Sequence, residues 1–436
     1  MYRRLHFLAL VMVLSGCPES PDTSLVPPDA SGDTTMGGTT YHEHVRPIIE
    51  NRCQSCHVEG GAGPFPLETW QQVEPMGPAL VFAVESGEMP PWHFDEDCRD
   101  IQYSRALSPD ELATMTAWRD GGFAEGDPGN YVAPQKPEVA ELGQADLVIA
   151  PAEGYAASKD APDDYRCLVI DHTFESAARV VATDVLPGQR SVVHHVLIYA
   201  VPAAAQAALD AKVAAEPDSP GYTCFGGPDV ETDGLVAAWV PGSPPYKFPD
   251  GAALTIEAGS KLVMQVHYNT IAVTDPPTDL TQLALWTMPE AQEPTHDVLL
   301  TNMPVRPLEI AAGDPSVTEE QIHDVPGNAI VIGAAPHMHQ IGTSASAYLV
   351  RPDGSEECLA NIPRWDFNWQ QFYQYQPEDH VQVTSADKVR VSCTFDNSAE
   401  NQAVVNGVKQ PPRDVTWGEG SFDEMCLVYF MVLLER

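Results

Sequence analysis

The chain has 436 residues, 43% of them hydrophobic and 19% charged, a globular composition whose length points to about three domains at ~150 residues each. Its formal charge is −39, from 23 Lys and Arg against 62 Asp and Glu. Such a surface repels phosphate backbones and anionic lipid, which excludes nucleic-acid binding and polybasic membrane attachment. Proline, at 40 residues, is about twice its usual share and argues against an architecture of long helices.

Residues 1–17, MYRRLHFLALVMVLSGC, carry Arg3 and Arg4 ahead of an apolar core too short to span a bilayer. Leu14-Ser15-Gly16-Cys17 has the form of a bacterial lipobox. It predicts Cys17 as a lipidated N-terminus and a mature chain outside the cytoplasm, at the periplasmic or outer surface, touching membrane only through that anchor. An ordinary cleaved signal with an incidental cysteine is the competing reading. Residues 18–39 are rich in Pro, Ser, Thr, Gly and Asp and read as a flexible tether.

Residues 40–127 read as a small helical domain. Ser108-Pro109-Asp110-Glu111 is a capping box with proline at the first helical position. Leu112, Met115 and Trp118 follow on one face, and Gly121-Gly122 stops the helix. Val45, Ile48 and Ile49 give a second short helix leading into Cys53. Within this domain Cys53-Gln54-Ser55-Cys56-His57 is C-x-x-C-H, in which two thiols attach a heme c through thioethers and the histidine ligates its iron. A disulfide or a zinc knuckle competes, although a knuckle needs a second ligand pair and only Cys98 follows in the segment. Met89, in the proline-stiffened Gly87-Glu88-Met89-Pro90-Pro91-Trp92, is the expected second axial ligand. Met76, Met115 and His93 are its competitors. The segment resembles a class I c-type cytochrome, and a Met/His ligand set favours electron transfer over oxygen chemistry.

A proline-rich linker over 128–151 ends the helical part, and then the period changes. Short β-branched runs, including 179–184, 191–201, 261–273, 329–334, 344–351, 388–395 and 424–434, alternate with Pro, Gly and Asp clusters. That pattern predicts a mainly β fold of antiparallel sandwiches. We divide it at 152–289 and 290–436. His194 and His195 lie in an apolar strand, where imidazole needs a partner or a metal. His267 sits in VMQVHY, and His337-Met338-His339 places two imidazoles on one face of an extended segment. Met425 opens the last strand.

These stretches, VVHHVLIYA, QVHYNT, PHMHQIG, VSCTFDNS and DEMCLVYFMV, resemble in sequence and order the copper type II, ascorbate-dependent monooxygenases. The resemblance covers residues from about 152 to 436. It implies two jelly-roll β-sandwiches facing across a cleft, each with one copper. His194, His195 and His267 would bind an electron-transfer copper; His337, His339 and Met425 would bind the oxygen-activating one. A thioether favours Cu(I) and is unusual on zinc, so Met425 separates copper from a zinc reading. Cys167 would pair with Cys224, and Cys393 with Cys426, while Tyr429 would line the substrate cavity. Cys98 and Cys358 have no counterpart and are either free or link the heme domain to the second sandwich. The peptide-amidating branch carries an arginine two residues before its H-x-H; here that position is Ala335, which argues against a glycine-extended peptide. The expected activity is hydroxylation of a C–H bond in a small organic substrate by O2. Single electrons would come from ascorbate, from a redox partner protein, or through the heme to the His194/His195/His267 copper. The alternative is a non-enzymatic heme and copper electron-transfer or copper-handling lipoprotein. A carbohydrate-binding module leaves the six aligned ligands unexplained.

Overall fold

The computed structural model describes residues 38–134, 142–160, 163–270, 273–405, 408–418 and 422–436; Cys17 lies outside them. In the helical segment, Ser108 Oγ accepts from the Glu111 N–H at 3.2 Å and Glu111 Oε2 from the Ser108 N–H at 2.8 Å, which starts helix Pro109–Asp120. That helix buries Met115 and Trp118 against Tyr41, Val45, Ile49 and Val81. The helix expected around Val45 runs Arg46–Arg52 and delivers Cys53 at its end.

The rest is mainly β. A five-stranded antiparallel sheet has the order Tyr222–Thr223, Asp163–Val169, Lys261–Asn269, Val193–Val201, Gly234–Trp239. A four-stranded sheet orders Val317–Asp324, Lys388–Phe395, Gly342–Val350 and Glu356–Ile362. Each packs its inner face on a shared ten-stranded sheet, giving two separate cores. The shared sheet continues from one half into the other across the division at 289/290, because Ala252–Ile256 pairs in parallel with His296–Pro304. Leu433 therefore belongs to the first core although its strand continues into the second half. The final strand begins at Leu427, so Met425 sits on the turn that leads into it. An alanine-rich helix, Gln206–Ala215, interrupts the β pattern; alanine's high helix propensity accounts for it.

Three disulfides join Cys98 to Cys358, Cys167 to Cys224, and Cys393 to Cys426, and Cys53 and Cys56 take part in none of them. The first spans 260 residues and fastens the loop after the heme-type motif to the second sandwich. Arg99 reinforces it, donating to the Cys358 carbonyl and, at 2.7 Å, to the Asp379 carbonyl. Among the described residues no helix is long and apolar enough to cross a membrane. Replacing Cys98 and Cys358 together by Ser is expected to lower the unfolding free energy by about 2–5 kcal/mol and to speed tryptic cleavage at Arg99 and Arg105. Unchanged cleavage would show that the Arg99 bonds hold the loop alone.

Candidate metal centres

Strand Lys261–Asn269 lies between Asp163–Val169 and Val193–Val201, and His267 faces His195 in register. Successive side chains of a regular strand point to opposite faces. Here the register shifts, so that Tyr268 pairs with Val193 and His194 is left as an extra residue. The bulge turns His194 to the side that His195 and His267 already occupy. The three Nδ1 atoms then stand 3.1, 3.3 and 3.4 Å apart. The centre of that triangle is about 1.9 Å from each corner, close to a metal–imidazole bond of about 2.0 Å.

Neighbours set the rings for this role. His267 Nε2 donates to Asp163 Oδ1 at 2.8 Å, which leaves the Nδ1 lone pair turned inward. Tyr165 stacks on the same ring at 4.2 Å and 5°. The His267 bond also holds the Asp163 carboxyl below its usual range. Burial, then His267, pushes His194 down to about 4, and burial lowers His195 as well. Neutral imidazole is the ligating form.

The second set stands at the end of strand Ala329–His337. His337 Nδ1 donates to Gln370 Oε1 at 2.5 Å, and His339 Nδ1 to the Asp423 carbonyl at 3.1 Å. Both rings thus keep Nε2 for a ligand, with centroids 5.2 Å apart. Glu424 is buried beneath them. Its Oε2 accepts from the N–H groups of His339 (2.8 Å) and Met425 (3.2 Å), and Oε1 from Ile341 (2.9 Å). One carboxyl therefore holds the backbones of His339 and Met425 side by side. Burial pushes its pKa up to about 8 despite these donors. Burial likewise pushes His337 down to about 4. The Tyr429 ring lies 6.4 Å from that of His337, and Ala335 is its partner across the sheet.

A cavity of about 340 Å³ joins the halves, lined by Asp163, Tyr165 and His267 on one side and by Gln340, Trp365 and Phe367 on the other. Trp365 Nε1 donates to the His339 carbonyl at 3.0 Å. Three imidazoles at one centre, and two imidazoles with an adjoining thioether-bearing residue at the other, fit copper.

At the C-x-x-C-H segment, burial pushes the Cys53 thiol up to about 12. His57 Nδ1 donates to the Phe65 carbonyl at 2.9 Å, leaving Nε2 for iron. A Cβ on Gly63 would meet the His57 ring at 2.7 Å, so only glycine lets the loop close over it. These residues fit a covalently attached heme. Of the candidate sixth ligands, Met115 is buried in the helical core, Met76 packs on that core, and Met89 is exposed. His93 is buried, with Nε2 unbonded among the described residues.

Asp163, Tyr165, Gln370 and Glu424 were not singled out in the sequence. Asp163→Ala is expected to weaken copper binding at the His194/His195/His267 centre by about 10–100-fold and to leave the other centre unaltered, as read by chelator competition. Equal weakening at both centres would contradict the local role of the His267 bond.

Residues 317–433 match the family model described as copper type II ascorbate-dependent monooxygenase, C-terminal domain. Peptidyl-glycine alpha-amidating monooxygenase A of Xenopus laevis is 25% identical over 221 residues, which is 49% of this chain and 22% of that protein's length. Among solved structures, a Parabacteroides distasonis protein is 8% identical with a TM-score of 0.17, covering 69% of this chain and 92% of its own. The VP2 subviral particle of infectious bursal disease virus is 9% identical with a TM-score of 0.16, covering 68% and 80%. At such scores neither likeness carries an argument. The family model thus matches the second sandwich, residues 317–433, and the chain spans about a fifth of the length of the curated relative it resembles.

Proposed function

We propose that the chain is a copper-dependent monooxygenase that hydroxylates a C–H bond of a small organic substrate, R–H + O2 + 2 e⁻ + 2 H⁺ giving R–OH + H2O. The observation that carries this reading is the triangle of three Nδ1 atoms, one of whose rings, His267, lines a cavity that Gln340 and Trp365, beside His339, line from the other side. His194, His195 and His267 would hold one copper, and His337, His339 and Met425 the other. Bound there, copper supplies one-electron redox chemistry and a site for O2. Asp163 and Tyr165 keep the His267 ring in place, Gln370 and the Asp423 carbonyl do the same for the His337 and His339 rings, Glu424 holds the His339 backbone, and Tyr429 lines the substrate side. With Ala335 in the sheet opposite Tyr429, no cation stands at that position to grip a carboxylate, which supports a substrate other than a glycine-extended peptide.

Cys53, Cys56 and His57 would hold a heme c, with Met89 as the expected sixth ligand. Through it, electrons would reach copper one at a time, from ascorbate or a redox protein. Three disulfides support an oxidising, extracytoplasmic address; Cys17 would provide the lipid anchor.

Two copper equivalents per chain are expected, with one lost in each of His337→Ala and Met425→Ala together with all hydroxylated product. Full metal loading and oxygen uptake without product in the unaltered chain would instead identify an electron relay. Cys53→Ser/Cys56→Ser is expected to remove the heme absorbance and leave both coppers. Heme-type absorbance surviving in that variant would refute covalent attachment there.

A further inference from the structure

Residues 92–105, between the C-x-x-C-H motif and helix Pro109–Asp120, form a strap that enters the interior of the second sandwich. Phe94 and Ile101 are buried in the same core as Val331, Tyr375 and Val428, and Trp92 packs on it, edge-on to Tyr373 at 5.2 Å. The strap's backbone is paired too. The Asp95 N–H donates to the Asn361 carbonyl at 2.9 Å, the Gln102 N–H to the Gln374 carbonyl at 2.8 Å, and the Gln376 N–H to the Asp100 carbonyl at 3.0 Å. Ile101 and Tyr375 form an antiparallel bridge. With the Cys98–Cys358 bond, the strap is held by covalent, apolar and hydrogen-bonded contacts together.

At its far end the strap grips the cysteine turn. Arg52, next to Cys53, donates through Nη1 to the Ser104 carbonyl at 2.7 Å and through Nε to Glu111 Oε1 at 3.1 Å. Arg105 then reaches both sandwiches. Its Nη1 donates to the Pro241 carbonyl at 3.0 Å, just past strand Gly234–Trp239 of the first, and its Nη2 to Gln371 Oε1 of the second. A Cβ on Gly242 would meet Arg105 Nη1 at 2.5 Å and Ser55 Oγ at 3.2 Å, so the middle of the C-x-x-C turn rests against the first sandwich. Arg364 of the second sandwich donates to the Ser86 and Gly87 carbonyls, a further point of contact. Domains joined only by a linker move relative to one another unless they share a large apolar surface. Here the strap supplies side chains to the sandwich core itself.

We propose that the heme-attachment segment is a fixed seat and not a mobile module: the strap, Arg52 and Arg105 hold the Cys53–His57 turn on the seam between the two sandwiches, so that a heme attached there passes electrons to copper without domain movement. The electron-transfer role of the seat rests on the heme reading above and holds for either copper centre as acceptor. Each event oxidises one heme iron from Fe(II) to Fe(III) and reduces one copper from Cu(II) to Cu(I), with no bond made or broken. An external one-electron donor, ascorbate or a redox protein, restores the heme.

Two measurements on the full chain test the seat. In hydrogen exchange, peptides covering Asp95–Gln102 are expected to exchange as slowly as strand Ala329–His337. Exchange as fast as in unpaired loops overturns the seat, whatever the heme content. The second measurement loads the chain with Fe(III) heme and Cu(II). A sub-stoichiometric, flash-generated one-electron reductant reduces the heme, and absorbance follows its re-oxidation. The unaltered chain is expected to show one phase whose rate is the same across a sucrose viscosity series and at every protein concentration. Arg105→Ala with Gly242→Val is expected to lose that phase for a slower one that falls as viscosity rises, with heme and copper contents retained. Should that variant not fold, the unaltered chain decides alone. A rate falling in inverse proportion to viscosity overturns the seat and leaves the heme reading standing. Absence of covalent heme from the unaltered chain overturns the heme reading and the electron-transfer role together, while slow exchange over Asp95–Gln102 still upholds the seat.

Discussion

Three imidazole nitrogens standing 3.1–3.4 Å from one another are an arrangement that a polypeptide does not hold without cause. Lone pairs converging at that distance repel, and protons on all three would clash. A cation at their centre would turn the repulsion into coordination. The surrounding structure is organised to keep them so: a bulge that rotates His194 off the regular pleat, a carboxylate on the far nitrogen of His267, and a tyrosine flat against its ring. The strand that carries His267 is the centre of its sheet, hydrogen-bonded on both sides, which gives the triangle a rigid floor.

The second centre is held by different means. His337 ends a strand and His339 lies beyond it, so the regular ladder stops between them. A buried glutamate takes over by holding the His339 backbone N–H, while a glutamine and a carbonyl each fix a ring Nδ1 and thereby aim the rest of the ring. Cys426, next to Met425, is bonded to Cys393 of the neighbouring sheet, which anchors the turn bearing the thioether. The sheet that runs through both halves sets the distance across the cavity. The two centres are thus parts of one framework rather than two domains on a hinge.

Much of this was legible in the primary structure, and the parts that were not share a reason. The helix at Pro109–Asp120 announced itself through local chemistry: a cap, a proline and an apolar face within twelve residues. The strand pattern followed from period-two burial, and the H-H, H-x-H and C-x-x-C-H motifs from side chains adjacent in sequence. Asp163, Tyr165, Gln370 and Glu424 act across sheets, on partners 33 to 104 residues away, and a lone polar residue in a strand or loop gives no local signal of that. The bulge at His194 was equally hidden, because adjacent histidines in a strand read as pointing to opposite faces. The parallel pairing of Ala252–Ile256 with His296–Pro304 crosses the position where composition suggested a break; proline and glycine mark a turn without saying whether the sheet continues beyond it.

Copper K-edge X-ray absorption on the fully reduced, copper-loaded chain tests the account most directly. It predicts a nitrogen shell near 2.0 Å with one sulfur scatterer for every two coppers, and loss of that sulfur in Met425→Ala with the nitrogen shell intact. A single copper per chain, or a spectrum with no sulfur in the unaltered protein, would contradict it.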